Sequence, residues 1–153
     1  MNKLIVVVII SIFTFLLSCK TQPAPSNIIV EKELETYKVI YKEQISSKKV
    51  KENIVIKDNE SFTNLISELN IQPTDYEVLL NVDFEKNNLL VLFIGEKPTG
   101  GYDIDVDKVL FLEKTIEVYP KISIPSKDSF STTVVTSPYV MVTISKGKEI
   151  IVK

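Results

Sequence analysis

Residues 88–94, NLLVLFI, decide the fold of this chain. From Leu89 onward the stretch carries only apolar side chains, and it is bounded by Asn87 and Gly95. A short apolar run without polar alternation is typical of a strand whose two faces are both buried. We therefore expect the core of the protein to be built around a central strand at this position.

Strand patterns follow and precede this run. Residues 102–109, YDIDVDKV, alternate between apolar side chains and aspartates, which predicts a strand with one buried face. Lys146-Gly147 predicts a tight hairpin turn between the last two strands. The other predicted strands are residues 37–45, 53–56, 115–124, 132–136, 139–145 and 149–152, while residues 76–80 are ambiguous.

One segment has helical periodicity. Apolar side chains recur at spacings of i, i+3, i+4 and i+7 after an Asp58-Asn59-Glu60 start signal, at Phe62, Leu65, Ile66 and Leu69. With a single helix among so many strands, the pattern predicts a mainly β fold. We expect one β-sandwich or barrel-like domain with one covering helix.

The N-terminus has the pattern of a lipoprotein signal sequence. Lys3 is followed by an uncharged apolar run over residues 4–17 and then by Cys19. This run is shorter than the about 20 residues that span a bilayer core, but it suits a signal peptide. The stretch Leu16-Leu17-Ser18-Cys19 resembles a lipobox, so we expect lipidation of Cys19 by fatty acyl chains such as palmitate. The alternative is an ordinary membrane anchor with an incidental cysteine.

This interpretation divides the chain into three parts. Residues 1–18 are the signal peptide, residues 19–27 a lipidated tether, and residues 28–153 a β-rich domain. The tether is rich in Pro, Ser, Thr, Gln and Asn, which favour a flexible spacer. We expect the protein to be lipid-anchored to a membrane of the bacterial cell envelope, on its periplasmic or surface face.

The composition excludes several function classes. The chain has no His, Trp or Arg, and its only cysteine is Cys19. Ser-His-Asp and Cys-His catalysis are thereby excluded, as are typical zinc sites. A net charge of −2 gives no attraction to nucleic acid. Asp103, Asp105 and Asp107 lack the features of a calcium loop and indicate a solvated strand face. We expect a protein that is not an enzyme and has no cofactor or metal site.

The most informative motif is GEKPTGGY, residues 95–102. Pro98 restricts the backbone, and Gly100-Gly101 permits angles closed to other residues. A rigid loop with bare glycines allows another chain to approach its backbone closely. An equally open interpretation is a β-hairpin turn without a partner.

Residues 82–145 resemble the C-terminal domain of the PrcB family of protease-complex subunits. The resemblance rests on Val82-Asp83-Phe84, on LLVLFIG, on KPTGGYDIDVDKV and on a late Thr136-Ser137-Pro138-Tyr139. It implies a non-catalytic envelope protein that associates with or stabilises a protease or another envelope protein. The partner-binding residues that the resemblance implies are Lys97, Pro98, Thr99, Gly100, Gly101, Tyr102, Ser137, Pro138 and Tyr139.

The loop also resembles that of chagasin-type inhibitors of cysteine proteases, which present an NPTTGY loop on an immunoglobulin-like sandwich. Here Lys97 replaces Asn, Gly100 replaces the second Thr, and no tryptophan follows. The sequence therefore leaves three functions open. These are a protease-associated binding module, a chagasin-like inhibitor, and a structural envelope lipoprotein.

Overall fold

The computed structural model of the protein describes residues 35–71, 79, 81–126 and 131–153. The predicted signal peptide, Cys19, the tether and most of residues 76–80 lie outside the described residues. The elements within them are β1 Tyr37–Glu43, β2 Glu52–Ile56, α1 Asn59–Leu69, β3 Asn87–Phe93, β4 Asp103–Phe111, β5 Thr115–Ser123, β6 Tyr139–Ser145 and β7 Glu149–Val152.

The strands form two sheets. The first has four strands in the order β1-β6-β3-β2, with every pair antiparallel. The second has three strands in the order β4-β5-β7, in which β4 and β5 are antiparallel and β5 and β7 are parallel. Neither sheet of the described chain closes into a barrel, so the mainly β sandwich is the form that the fold takes.

The central strand β3 is buried on both faces, as its sequence predicts. Leu89, Val91 and Phe93 point into one apolar cluster, which also contains Phe62 and Leu65 of α1. Leu90 and Leu92 of β3, with Ile94 directly after it, belong to a second cluster with the inner face of the other sheet. That face contributes Ile104, Ile116 and Val118. The first sheet is therefore covered by the helix on one face and by the second sheet on the other.

The helix begins and ends where the sequence indicates. The Asp58 side chain caps its N-terminus by accepting from the Ser61 N–H at 2.8 Å. Asn70 ends it in the left-handed conformation, with φ 52°, because Asn tolerates this region better than most residues. No helix in the described part of the chain is long and apolar enough to cross a membrane.

β4 keeps its apolar residues facing inward through a bulge. Its register with β5 shifts between Val106 and Lys108. Ile104 and Val106 face the second cluster before the shift, and Val109 and Phe111 face it afterwards. The alternation in the sequence therefore survives an extra residue, as a β-bulge allows.

Two predictions about strand pairing are wrong. Residues 132–136 form no strand; only Thr136 makes an isolated bridge, to Lys97. The turn at Lys146-Gly147 does not close a hairpin, because β6 pairs with β1 and β3 while β7 pairs with β5 in the other sheet. Gly147, with φ +105°, therefore lies in a connection that crosses between the sheets and not in a turn within one sheet.

The strand directions place the connections at two opposite ends of the sandwich. Glu43 and Phe93 both pair with Tyr139, and the connections beyond them, residues 44–51, 94–102, 124–126 and 131–138, lie at what we call the loop end. The chain enters β1 at the opposite end, where Tyr37 pairs with Ile144.

The burial of β3 predicts the cost of truncating it. Leu90 is fully buried between the sheets, so Leu90→Ala should lower the free energy of unfolding by about 2–5 kcal/mol through lost burial and a residual cavity. Leu110→Ala is the matched control, because Leu110 is exposed on β4 and should change stability by less than about 1 kcal/mol. Urea denaturation measures both; equal losses would contradict the double burial of β3.

Candidate partner-binding loop

The KPTGGY loop, residues 97–102, connects the two sheets. It follows β3 of the first sheet and leads into β4 of the second. The loop is therefore a crossing between layers and not the β-hairpin turn that its glycines also suggested. Its position at the edge of both layers leaves part of its backbone at the surface.

The loop is clamped to residues 132–136 by backbone hydrogen bonds. The Lys97 N–H donates to the carbonyl of Thr136 at an N···O distance of 2.7 Å, and the Thr136 N–H donates to the carbonyl of Lys97 at 3.0 Å. The Gly100 N–H donates to the carbonyl of Thr132 at 3.0 Å. The Thr136 hydroxyl donates to the carbonyl of Thr99 at 2.9 Å. Four hydrogen bonds over so few residues hold the loop in one conformation.

Two glycines allow the chain to make the crossing. Gly95 has φ +74°, and a Cβ there would lie 2.7 Å from the carbonyl carbon of Val50. Gly101 has φ +86°, and a Cβ there would lie 2.9 Å from Cβ of Pro125. Both positions therefore require glycine for conformation and for space. Gly100 does not share the positive φ; it is buried against the side chain of Thr132.

Ser137, Pro138 and Tyr139 lie beneath the loop rather than on the surface. The Ser137 hydroxyl accepts from the N–H of Ser46 at 2.6 Å and donates to its carbonyl at 2.7 Å. The Tyr139 ring, 1% exposed, stacks on Phe93 with centroids 5.3 Å apart. Pro138 is also buried. These three residues support the loop and its neighbours, and their side chains are out of reach of a partner.

The accessible part of the predicted site is smaller than the motif. Pro98 and Gly101 are exposed, whereas Lys97, Thr99 and Tyr102 are half-buried. The segments around them add an apolar rim that sequence reasoning missed, with side chains 56–71% exposed: Ile45, Val50, Ile124, Val134 and Val135. The sequence signal that could have indicated this rim is that these aliphatic residues lie at or near the ends of strands, outside any amphipathic pattern.

Lysine–carboxylate pairs fix the strands next to the loop. Lys42 of β1 reaches Asp103 at 2.8 Å and Asp105 at 3.0 Å on β4, which joins the two sheets. The hydrogen bond from Lys42 lowers the pKa of Asp105. Two of the three aspartates considered for calcium therefore pair with a lysine. No group of metal-ligating side chains occurs in the described ranges.

A second lysine joins the loop end to the helix. Lys48 lies 2.8 Å from Glu68 of α1 and 3.4 Å from Glu52 of β2. The hydrogen bond from Lys48 lowers the pKa of Glu68. The connection between β1 and β2 is thus fixed from the helix side as well as by Ser137.

The hydrogen bonds between Ser137 and Ser46 predict that removing the Ser137 hydroxyl destabilises the protein. Ser137→Ala should lower the free energy of unfolding by about 1–3 kcal/mol, because it removes the hydroxyl that satisfies both backbone groups of Ser46. Ser131→Ala is the control: that side chain is exposed and should change stability by about 0.5 kcal/mol or less. Thermal and urea denaturation distinguish the two, and an unchanged Ser137→Ala protein would show that the loop end does not depend on this contact.

Comparison with known proteins bears on the same segment. Residues 89–145 match the family model described as PrcB C-terminal, whereas no curated protein and no solved structure matches the chain significantly. The match runs from β3 to β6 and includes both the KPTGGY loop and its buried Ser-Pro-Tyr support. Residues 89–145 of this chain are therefore similar to the PrcB C-terminal family.

Proposed function

We propose that this protein is a lipid-anchored, non-catalytic binding module of the bacterial cell envelope. It associates with or stabilises a protease, or another envelope protein, through the KPTGGY loop. The observation that carries the proposal is the PrcB C-terminal match, which indicates a protease-complex-associated domain. The loop belongs to the matched segment, and its Pro98 and Gly101 are exposed.

The conformation of the loop supports a binding role. Its hydrogen bonds to residues 132–136 hold it in place before any partner arrives. A preordered loop loses little conformational entropy on association, so more of the contact energy appears as affinity. Exposed Pro98 and Gly101 sit near an apolar rim, and exposed apolar surface of this kind marks sites of protein interaction.

The direction of β1 is compatible with anchoring through the N-terminus. The chain enters β1 at the end opposite the loop end. A seven-residue strand extends about 3.3 Å per residue, or roughly 20 Å. We propose that the lipid is attached upstream of β1, whose first residue lies at the end opposite the loop end.

A chagasin-like inhibitor is the second candidate. It is favoured by the loop sequence and by the position of the loop between two sheets of a sandwich with Gly101 exposed. Inhibition of papain by the purified protein at micromolar concentration would support it. Lack of inhibition, together with recovery of a protease by the experiment below, favours the binding module.

Crosslinking in native membranes followed by purification of the full chain tests the proposal. A photoreactive side chain at Pro98, which is exposed in the loop, should capture a protease or a protease-associated protein. The same group at Lys114, exposed at the opposite end, is the control and should not. If proteins were captured equally at both positions, or not at all at Pro98, the protein would be better described as a structural envelope lipoprotein.

Lipid anchoring predicts the behaviour of a cysteine variant. Cys19→Ser should remain uncleaved or become soluble, because serine has no thiol to form the thioether. Fractionation with detergent phase partitioning measures this against the unaltered chain. Normal processing and membrane retention of the Cys19→Ser protein would overturn the lipoprotein assignment.

Removing the side chains of Lys97 and Thr99 should affect partner binding without affecting stability. Lys97→Ala and Thr99→Ala should weaken partner binding about tenfold, or about 1.4 kcal/mol. Both should barely change the melting temperature, because the hydrogen bonds of these residues are made by the backbone. Lys114→Ala is the matched control for Lys97→Ala and should change neither property.

Tyr102→Ala calibrates the stability measurement. The ring packs against the second apolar cluster, so its removal should lower the melting temperature more than either loop variant does. Unchanged binding in both loop variants, or a Thr99→Ala protein as unstable as Tyr102→Ala, would make the loop a structural feature only.

A further inference from the structure

Residues 132–136, TTVVT, have the composition of a strand but form none. Threonine and valine are β-branched and favour extended backbone. The two ends of the segment are paired, with Thr136 bonded to Lys97 and Thr132 to Gly100. The three residues between these ends are the unusual part.

The loop opposite this segment explains the missing strand. Two residues, Pro98 and Thr99, face three residues of the 132–136 segment between the paired ends. Pro98 has no N–H to donate, and the carbonyl of Thr99 already accepts from the Thr136 hydroxyl. The segment therefore carries one residue more than the loop opposite it, which makes it a bulge, and Pro98 offers it no N–H.

The backbone of the bulge is left unpaired. Thr133, Val134 and Val135 make no backbone hydrogen bond to any residue that the structure describes. All three are exposed, with Val134 at 56% and Val135 at 57%. Unpaired backbone beside a sheet is a template for another strand, and exposed valines add the apolar surface that such pairing buries.

The strand β1 ends before it reaches this segment. The N–H of Ser137 bonds the carbonyl of Gln44 at 2.9 Å, one residue beyond the end of β1. The chain then turns away, and Ser46 contacts the Ser137 hydroxyl. No described strand continues the line of β1 alongside Val135, so the sheet lacks a strand at this corner.

We propose that residues 132–136 accept an extended segment of a partner protein, which adds as a strand where β1 leaves the sheet. Residues 130–139 carry no charge, so the fitting partner segment is uncharged and rich in β-branched or small apolar side chains. Its backbone pairs with Val135 and Thr133, and its side chains cover the valines. The inference deepens the proposed function by naming the partner's contribution, and it rests on that function for the identity of the partner.

Hydrogen exchange of the full-length protein in detergent tests the site directly. The probe is the peptide acetyl-KTVTVTVK-amide, in which terminal lysines for solubility flank the uncharged segment TVTVTV, and an otherwise identical peptide with proline at its two central positions is the control. Without a probe, residues 131–135 should exchange fast while β3 and β6 exchange slowly. The first peptide should slow exchange in residues 131–135 about tenfold, as pairing with one strand edge does, and the proline peptide should not.

Two variants separate backbone pairing from side-chain contact. Val135→Pro removes an N–H that is unpaired within the described residues and should weaken peptide binding about tenfold, as expected for a lost backbone hydrogen bond. Val135→Thr keeps the N–H and the β-branched shape and should bind as the unaltered protein does. Both should melt at the same temperature as the parent, because Val135 is exposed and its N–H is unpaired within the described residues.

Several results would overturn strand addition. These are protection at another sheet edge, no protection by the first peptide, equal losses in Val135→Pro and Val135→Thr, and self-association through residues 132–136 in sedimentation. The outcome is independent of the loop variants. Loss of partner binding in Lys97→Ala with unchanged peptide protection supports both proposals, whereas partner binding that survives Lys97→Ala and Thr99→Ala rejects the loop function alone.

Discussion

The burial of β3 on both faces is the constraint on which the rest of the structure depends. Residues Leu89 to Phe93 are completely removed from solvent, and alternate side chains in a strand point to opposite faces. Two separate covers are therefore needed. The helix α1 supplies one, and the sheet of β4, β5 and β7 supplies the other. A chain that leaves β3 must then pass from the central layer to an outer one.

That passage gives the KPTGGY loop its form. Gly95 and Gly101 take the positive φ angles where the chain passes close to Val50 and Pro125. Between them the backbone is bonded to residues 132–136. The same geometry that closes the sandwich thus produces a rigid, partly exposed loop, and rigidity before association is what a binding loop requires.

The residues that carry the family resemblance include some that are exposed and others that are buried beneath them. Ser137 and Tyr139 are buried and bonded or stacked beneath the loop end, so their place in the resemblance reflects packing. Pro98 and Gly101 are the exposed members. The match to the family model over residues 89–145 covers both groups, so the match alone does not separate exposed loop residues from the buried residues that support them.

The sequence by itself determined the approximate positions of β1 to β7, where α1 begins, and which face of each strand is apolar, because these follow from local periodicity and local hydrogen bonding. Only the tertiary structure decided which strands pair. Alternation in the sequence assigns each side chain to a face of its strand, but it does not specify which strand lies beside it. For this reason the turn signal at Lys146-Gly147 did not reveal that β6 and β7 belong to different sheets. The strand expected at residues 132–136 failed for a similar reason: β propensity needs a partner with free donors, and Pro98 in the facing loop has none.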